Sequence, residues 1–118
     1  MSLTVVSNED DGVAVLDCAD DMNALEMSDD FKELEKLLGD NWASRRVALG
    51  FRATEYIDSA AIGWLLSLHK TIGEGGGKLV LHSMNPSVVR VLKMMRIDSV
   101  LSLVENQAQA ETLLKEGK

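Results

Sequence analysis

Few side chains in this sequence are placed to do chemistry. Asp58 and Ser59 stand side by side after Tyr56-Ile57 and directly ahead of an apolar stretch, Ala60 to Ile72. Either short side-chain oxygen can cap a helix starting there, by accepting a hydrogen bond from an unpaired amide of the first turn. A helix start carries positive partial charge. A hydroxyl at that end is therefore a place where the fold tolerates a phosphate.

The remaining polar candidates are weaker. No Gly-x-Ser-x-Gly elbow surrounds Ser59, and nothing in the spacing joins it to His69 or His82 as a catalytic set. Cys18, the only cysteine, reads as a small buried residue near a strand end. Asp17, Asp20 and Asp21 lack the glycine and spacing of a calcium loop, so a solvated or partner-facing loop is expected, with no metal and no cofactor. Gly75-Gly76-Gly77 falls after a helical stretch and before a strand, the reverse of a nucleotide-binding loop, and reads as a turn.

Positioning Asp58 and Ser59 requires a scaffold, and 118 residues suffice for one domain with a single core, expected over residues 1–118. The net charge of -7 argues against nucleic acid and anionic membrane surfaces and suits a partner with a basic face. A lone cysteine excludes an internal disulfide and fits a reducing, cytoplasmic setting. The N-terminus has no basic region followed by an apolar stretch, so no signal peptide is expected, and no apolar run is long enough for direct membrane insertion.

Strands are predicted at Leu3–Ser7 and Gly12–Leu16, joined by a hairpin turn at Asp11-Gly12. The stretch from Asp17 to Met27 has no clear element. Ser28 or Asp29 caps a predicted helix to about Leu38, with Phe31, Leu34, Leu37 and Leu38 on one face and Gly39 at its end. A buried strand is predicted at Arg46–Phe51. In the helix Ala60–Ile72, the wheel turns Ala61, Leu65, Leu68 and Ile72 to the sheet and Gly63, Ser67 and Lys70 to water. Ile62, Leu66 and His69 form a further flank, covered by a neighbouring helix or offered to a partner beside Ser59, and Trp64 lies on the other flank. A strand follows at Lys78–His82. Asn85 caps a helix with Pro86 at its first position; Val88, Val91, Leu92 and Met95 face the core, and Arg90 and Lys93 face out. Val100–Val104 is the last strand, and Gln107–Lys115 the last helix, using Ala108, Leu113 and Leu114. The result is an α/β domain of order β-β-α-β-α-β-α-β-α. Its mixed sheet is mostly parallel, with about five strands and about four helices.

This order, with Asp58-Ser59-Ala60-Ala61-Ile62-Gly63 at the third strand's exit and Asn85-Pro86 after the fourth, resembles a STAS domain, in particular a bacterial anti-sigma-factor antagonist. The resemblance covers about Leu3 to Leu114. The family motif reads Asp-Ser-Ser/Thr-Gly-Leu-Gly, and its first Ser, the phosphorylated one, corresponds to Ser59. This sequence has Ala60 and Ala61 at the next two positions, no glycine after the second strand, and Arg96 where the family often has glycine. The resemblance implies a non-enzymatic, cytoplasmic regulator that binds an anti-sigma factor with serine kinase activity and is switched off by phosphorylation of Ser59. A serine phosphatase would reset it. The implied partner-binding residues are Tyr56, Asp58, Ser59, Ala60, Ile62, Gly63 and Ser67, with Asp17, Asp20 and Asp21. The alternatives are a non-phosphorylated STAS interaction subunit, for example of a lipid-transport ATPase, and a ligand-sensing module or small enzyme.

Overall fold

The computed structural model describes residues 3–8, 13–18 and 31–116. Strands β1 (Leu3–Asn8) and β2 (Val13–Cys18) pair antiparallel, with Leu3 opposite Cys18. Strands β3 (Arg46–Gly50), β4 (Lys78–His82) and β5 (Ser102–Val104) add in parallel, in the spatial order β1-β2-β3-β4-β5. The helices are α1 (Lys32–Leu38), α2 (Ser59–Glu74), α3 (Pro86–Met94) and α4 (Gln107–Glu116). This is the predicted element order, with one added 3-10 turn at Trp42–Ser44. The Asp11-Gly12 turn and the proposed caps Ser28 and Asp29 lie outside the described residues.

Successive strand side chains point to opposite faces of the sheet. Leu16, Val47, Leu49, Leu79 and Leu81 point to one side, into the main core with Leu34 of α1, Ala61, Leu65, Leu68 and Ile72 of α2, and Val88 and Leu92 of α3. Val13, Val15, Ala48 and Val80 point to the other, where α4 lays down Ala110 and Leu114. The central strands are thus covered on both faces, which is why they read as unbroken apolar runs.

Three details differ from the sequence reading. The α4 face is built on Ala110, fully buried, while Ala108 is exposed; Asn106 starts the helix and sets the phase that pairs Ala110 with Leu114 one turn later. Met95 is 51% exposed because α3 has already ended there. Val100 is not in β5: the Ile97 carbonyl accepts the amides of both Val100 and Leu101, curling the chain until Ser102.

Two helices end in the same motif with different residues. At the end of α2, Gly77 N donates to Ile72 O (2.8 Å) and Gly76 N to Gly73 O (3.3 Å), with Gly76 at φ 90. At the end of α3, Ile97 N donates to Leu92 O (2.9 Å) and Arg96 N to Lys93 O (3.0 Å), with Arg96 at φ 59. Both are Schellman closures, and Ile97 and Leu92 supply the apolar contact that goes with the second. The left-handed position suits glycine and strains a side chain that has a β-carbon. Arg96→Gly should therefore raise the unfolding free energy by up to about 1 kcal/mol, and Gly76→Ala should lower it by about the same amount, in urea titrations.

Candidate functional site: the start of the second helix

The chain leaves β3 through Phe51 and returns to the core at Ile57, which is 5% exposed. That anchor leaves Asp58 extended (φ -98, ψ 176) as the last residue before the helix. Its Oδ1 accepts from Ala61 N at 2.8 Å, and its carbonyl accepts from Ile62 N at 3.0 Å. Asp58 is therefore the cap, and Ser59 is the first helical residue. The Ser59 hydroxyl is exposed and not used to start the helix. Beside it, Tyr56 is 58% exposed. Along the outer face of α2, Ala60, Gly63, Ser67 and Lys70 are exposed. A β-carbon at Gly63 would meet nothing within 4 Å. Between the larger Tyr56 and Lys70, the exposed residues of this face, Ser59, Ala60, Gly63 and Ser67, are small.

Not all of the expected contact residues join this surface. Ile62 is 3% exposed and packs in the main core, so it is removed from the contact set; on the same flank Leu66 is half-buried against that core and His69 is half-buried. Trp64 on the opposite flank is covered too, with Phe31 at 5.3 Å between ring centroids, and Phe31 in turn lies 5.5 Å from Trp42. Asp17 is also removed. It points to the α4 side of the sheet, and its Oδ2 is committed to Arg52 at 2.7 Å. Asp20 and Asp21 lie outside the described residues. Ser59, Asp58, Tyr56, Ala60, Gly63 and Ser67 remain together.

A second polar cluster lies at the carboxyl ends of β2, β3 and β4, where Asp17, Gly50 and His82 are register neighbours. Gly50 has to be glycine: a β-carbon there would collide with Asp17 Oδ1 and with the His82 ring. His82 is 1% exposed, and its Nδ1 lies 2.8 Å from Ser83 Oγ. Burial pushes the imidazole below its ordinary value of 6.5; Asp17 pulls it back, Arg52 opposes it, and Glu111 adds a further upward pull. The sequence reading passed over this cluster, because its members come together only through strand register. Among the described residues, no group of three or more potential ligands could hold a metal ion, and no helix is long and apolar enough to cross a membrane.

Residues 5–110 match the family described as the STAS domain. The chain belongs to the STAS domain family. A curated relative, the anti-sigma F factor antagonist of Paenibacillus polymyxa, is 28% identical over 69 residues. That match takes in 58% of this chain and 59% of the relative, so it spans less than two thirds of the relative's length. A crystal structure of a proposed anti-sigma factor antagonist from Thermotoga maritima superposes with a TM-score of 0.76 at 23% identity, over 97% of this chain and 93% of that one. An anti-sigma factor antagonist from Mycobacterium paratuberculosis gives 0.76 at 17% identity, over 97% and 95%. At these identities the two structures establish the shared STAS fold. Within the STAS motif, Ala61 stands where the family has glycine, and its methyl is fully buried in the main core. It adds no bulk to the surface beside Ser59.

Two outcomes are expected of the capping and burial described above. Asp58→Ala should cost about 1 kcal/mol of stability, while Ser59→Ala should stay within about 0.5 kcal/mol of the parent in urea titrations. For His82, the unfolded chain takes up a proton near 6.5 and the folded chain only at lower pH. Its contribution is therefore fully present above 6.5 and is lost as the pH falls below that value. Thermal melts between about pH 7.5 and about pH 5.5 should show the parent losing more stability than His82→Leu.

Proposed function

We propose that this STAS protein is an anti-sigma-factor antagonist that binds an anti-sigma factor with serine kinase activity. Phosphorylation of Ser59 by that partner releases the complex, and a serine phosphatase restores the binding form. The chain accepts a phosphoryl group and turns nothing over, and its setting is the cytoplasm. The observation that carries this reading is the division of labour at the start of α2. Asp58 makes the cap, so the Ser59 hydroxyl at the motif position is exposed and available for modification.

The physics of such a switch is favourable. Phosphate adds about -1.5 to -2 charges and three acceptor oxygens at a helix end that tolerates anions. The fold should change little. Across an interface, a partner carboxylate at ~4 Å in an effective dielectric of ~20 would be repelled by up to about 4 kcal/mol per unit charge. Half of that already weakens a complex by more than tenfold.

One observation favours a second reading, a constitutive STAS interaction subunit that is never phosphorylated. Ala60 is exposed where the family motif has Ser or Thr, so a hydroxyl next to the phosphorylation position is absent from the surface.

Tagged protein recovered from its own cells separates the two readings. With the parent and Ser59→Ala, a serine kinase of the anti-sigma type should be retained, and with Ser59→Asp its recovery should fall by more than tenfold. Gly63→Gln should leave the fold intact, since nothing of the chain's own lies within 4 Å of the added β-carbon, yet obstruct the partner. Equal recovery of one partner by all four proteins would overturn the switch. An ATPase subunit in place of a kinase would favour the second reading.

A further inference from the structure

The two edges of the sheet are built differently. β1 is interrupted by a register shift between Val5 and Ser7, and such a bulge spoils an edge for further pairing. β5, the last strand of the sheet among the described residues, keeps an unbroken register with β4: Ser102 opposite Val80, Leu103 opposite Leu81 and Val104 opposite His82. It has no proline, no charged residue and no bulge, and its shortness, three residues, is the one guard left to it. The Glu105 carbonyl accepts from Ser83 N at 3.2 Å and so faces the β4 side. Backbone groups alternate sides along a strand, so those of Leu103 also face β4, and those of Ser102 and Val104 face the open side.

The flanks of this edge are hollow and partly apolar. Between α3 and β5 a cavity of about 740 Å3 has Val89, Lys93, Asp98, Leu103, Val104 and Glu105 in its lining. Between β5 and α4 a second, of about 400 Å3, is lined by Val104, Ala108, Thr112 and Leu113 together with Gln109. Three large apolar side chains more than half exposed, Met94, Met95 and Val100, stand at the end of α3 and in the turn into β5.

The charges say what fits here. The chain carries a net charge of -7, which opposes self-association through an evenly charged surface. This rim is balanced instead, with Arg90 and Lys93 on α3 and Asp98 and Glu105 beside β5. None of the four has an ion-pair partner among the described residues. α3 starts beyond the carboxyl end of β4 and runs back along the sheet, so Lys93 lies towards the start of β5, while Glu105 follows its end. Opposite charges at opposite ends of one strand are self-complementary under a two-fold rotation.

From these observations we propose that the β5 edge pairs antiparallel with the β5 edge of a second copy of this chain, about a two-fold axis beside Leu103. Ser102 of one copy then lies opposite Val104 of the other, and these outward-facing residues exchange backbone N–H···O bonds. The same rotation sets Lys93 of each copy against Glu105 of the other, and the contact covers Val89, Met94 and Val100. Two five-stranded sheets become one continuous sheet. Tyr56 and Ser59 line neither hollow, so each copy keeps its α2 surface and the pair presents two of them.

Sedimentation equilibrium of the whole chain from about 10 μM to about 1 mM tests this, and a monomer–dimer equilibrium is expected in that range. Lys93→Glu sets carboxylate against carboxylate in its own dimer, and Glu105→Lys sets ammonium against ammonium, so each alone should self-associate about tenfold more weakly. Mixed in equal amounts, the two variants should restore the parent's dimer, because in the mixed pair each cation faces a carboxylate. Both positions are exposed, so each variant should keep the parent's far-ultraviolet circular dichroism. A parent that stays monomeric throughout, a dimer whose strength neither variant changes, or a mixture that dimerises no better than its components would overturn the proposal.

Discussion

Burial of the three central strands on both faces is the constraint on which the rest of this structure depends. With α1, α2 and α3 on one side and α4 on the other, no side chain of β2, β3 or β4 can be polar without meeting a covering helix, except at the strand ends. The functional chemistry is accordingly pushed to the carboxyl ends of the strands. Asp58 and Ser59 follow the exit of β3, and Asp17, Gly50 and His82 close the ends of β2, β3 and β4. The two groups share an end of the sheet but serve different faces, because successive residues of a strand alternate sides.

The site at α2 shows how little the fold needs to commit to it. One buried residue, Ile57, brings the loop back to the core, and one carboxylate, Asp58, starts the helix. On the outer face of the helix start the exposed residues Ser59, Ala60, Gly63 and Ser67 are small, with Tyr56 and Lys70 at the margins. Under the proposed switch, a surface of this kind would let a partner approach closely, and a charge added at Ser59 would act on the partner more than on the fold. The STAS relatives share this architecture at identities too low to carry more than the fold. The case for a switch rests on this chain's own geometry at Ser59.

Much of this could be read before any coordinates. Spacing located the buried arc of α2, since Ala61, Leu65, Leu68 and Ile72 are all fully buried. Asn85 and Pro86 announced the start of α3, where Asn85 Oδ1 accepts from Ser87 N at 2.9 Å. Arg96, at a position where a glycine is usual, lies in the left-handed region that glycine favours. What stayed hidden needed distance information. Asp58 and Ser59 are equally good caps by chemistry, and only the anchoring of Ile57 decides between them. Ile62 sits on the edge of the helix wheel, where one neighbouring element turns a candidate contact into core. The Asp17–His82 cluster joins residues far apart in sequence through strand register, which no local pattern encodes.

The central claim is that Ser59 is left exposed for modification. Intact-mass analysis of the protein recovered from its own cells, beside a Ser59→Ala variant, tests it most directly. The account predicts a population carrying one added phosphoryl group in the parent and none in the variant. The absence of that population from the parent under both growth and stress conditions, or its persistence in Ser59→Ala, would contradict it.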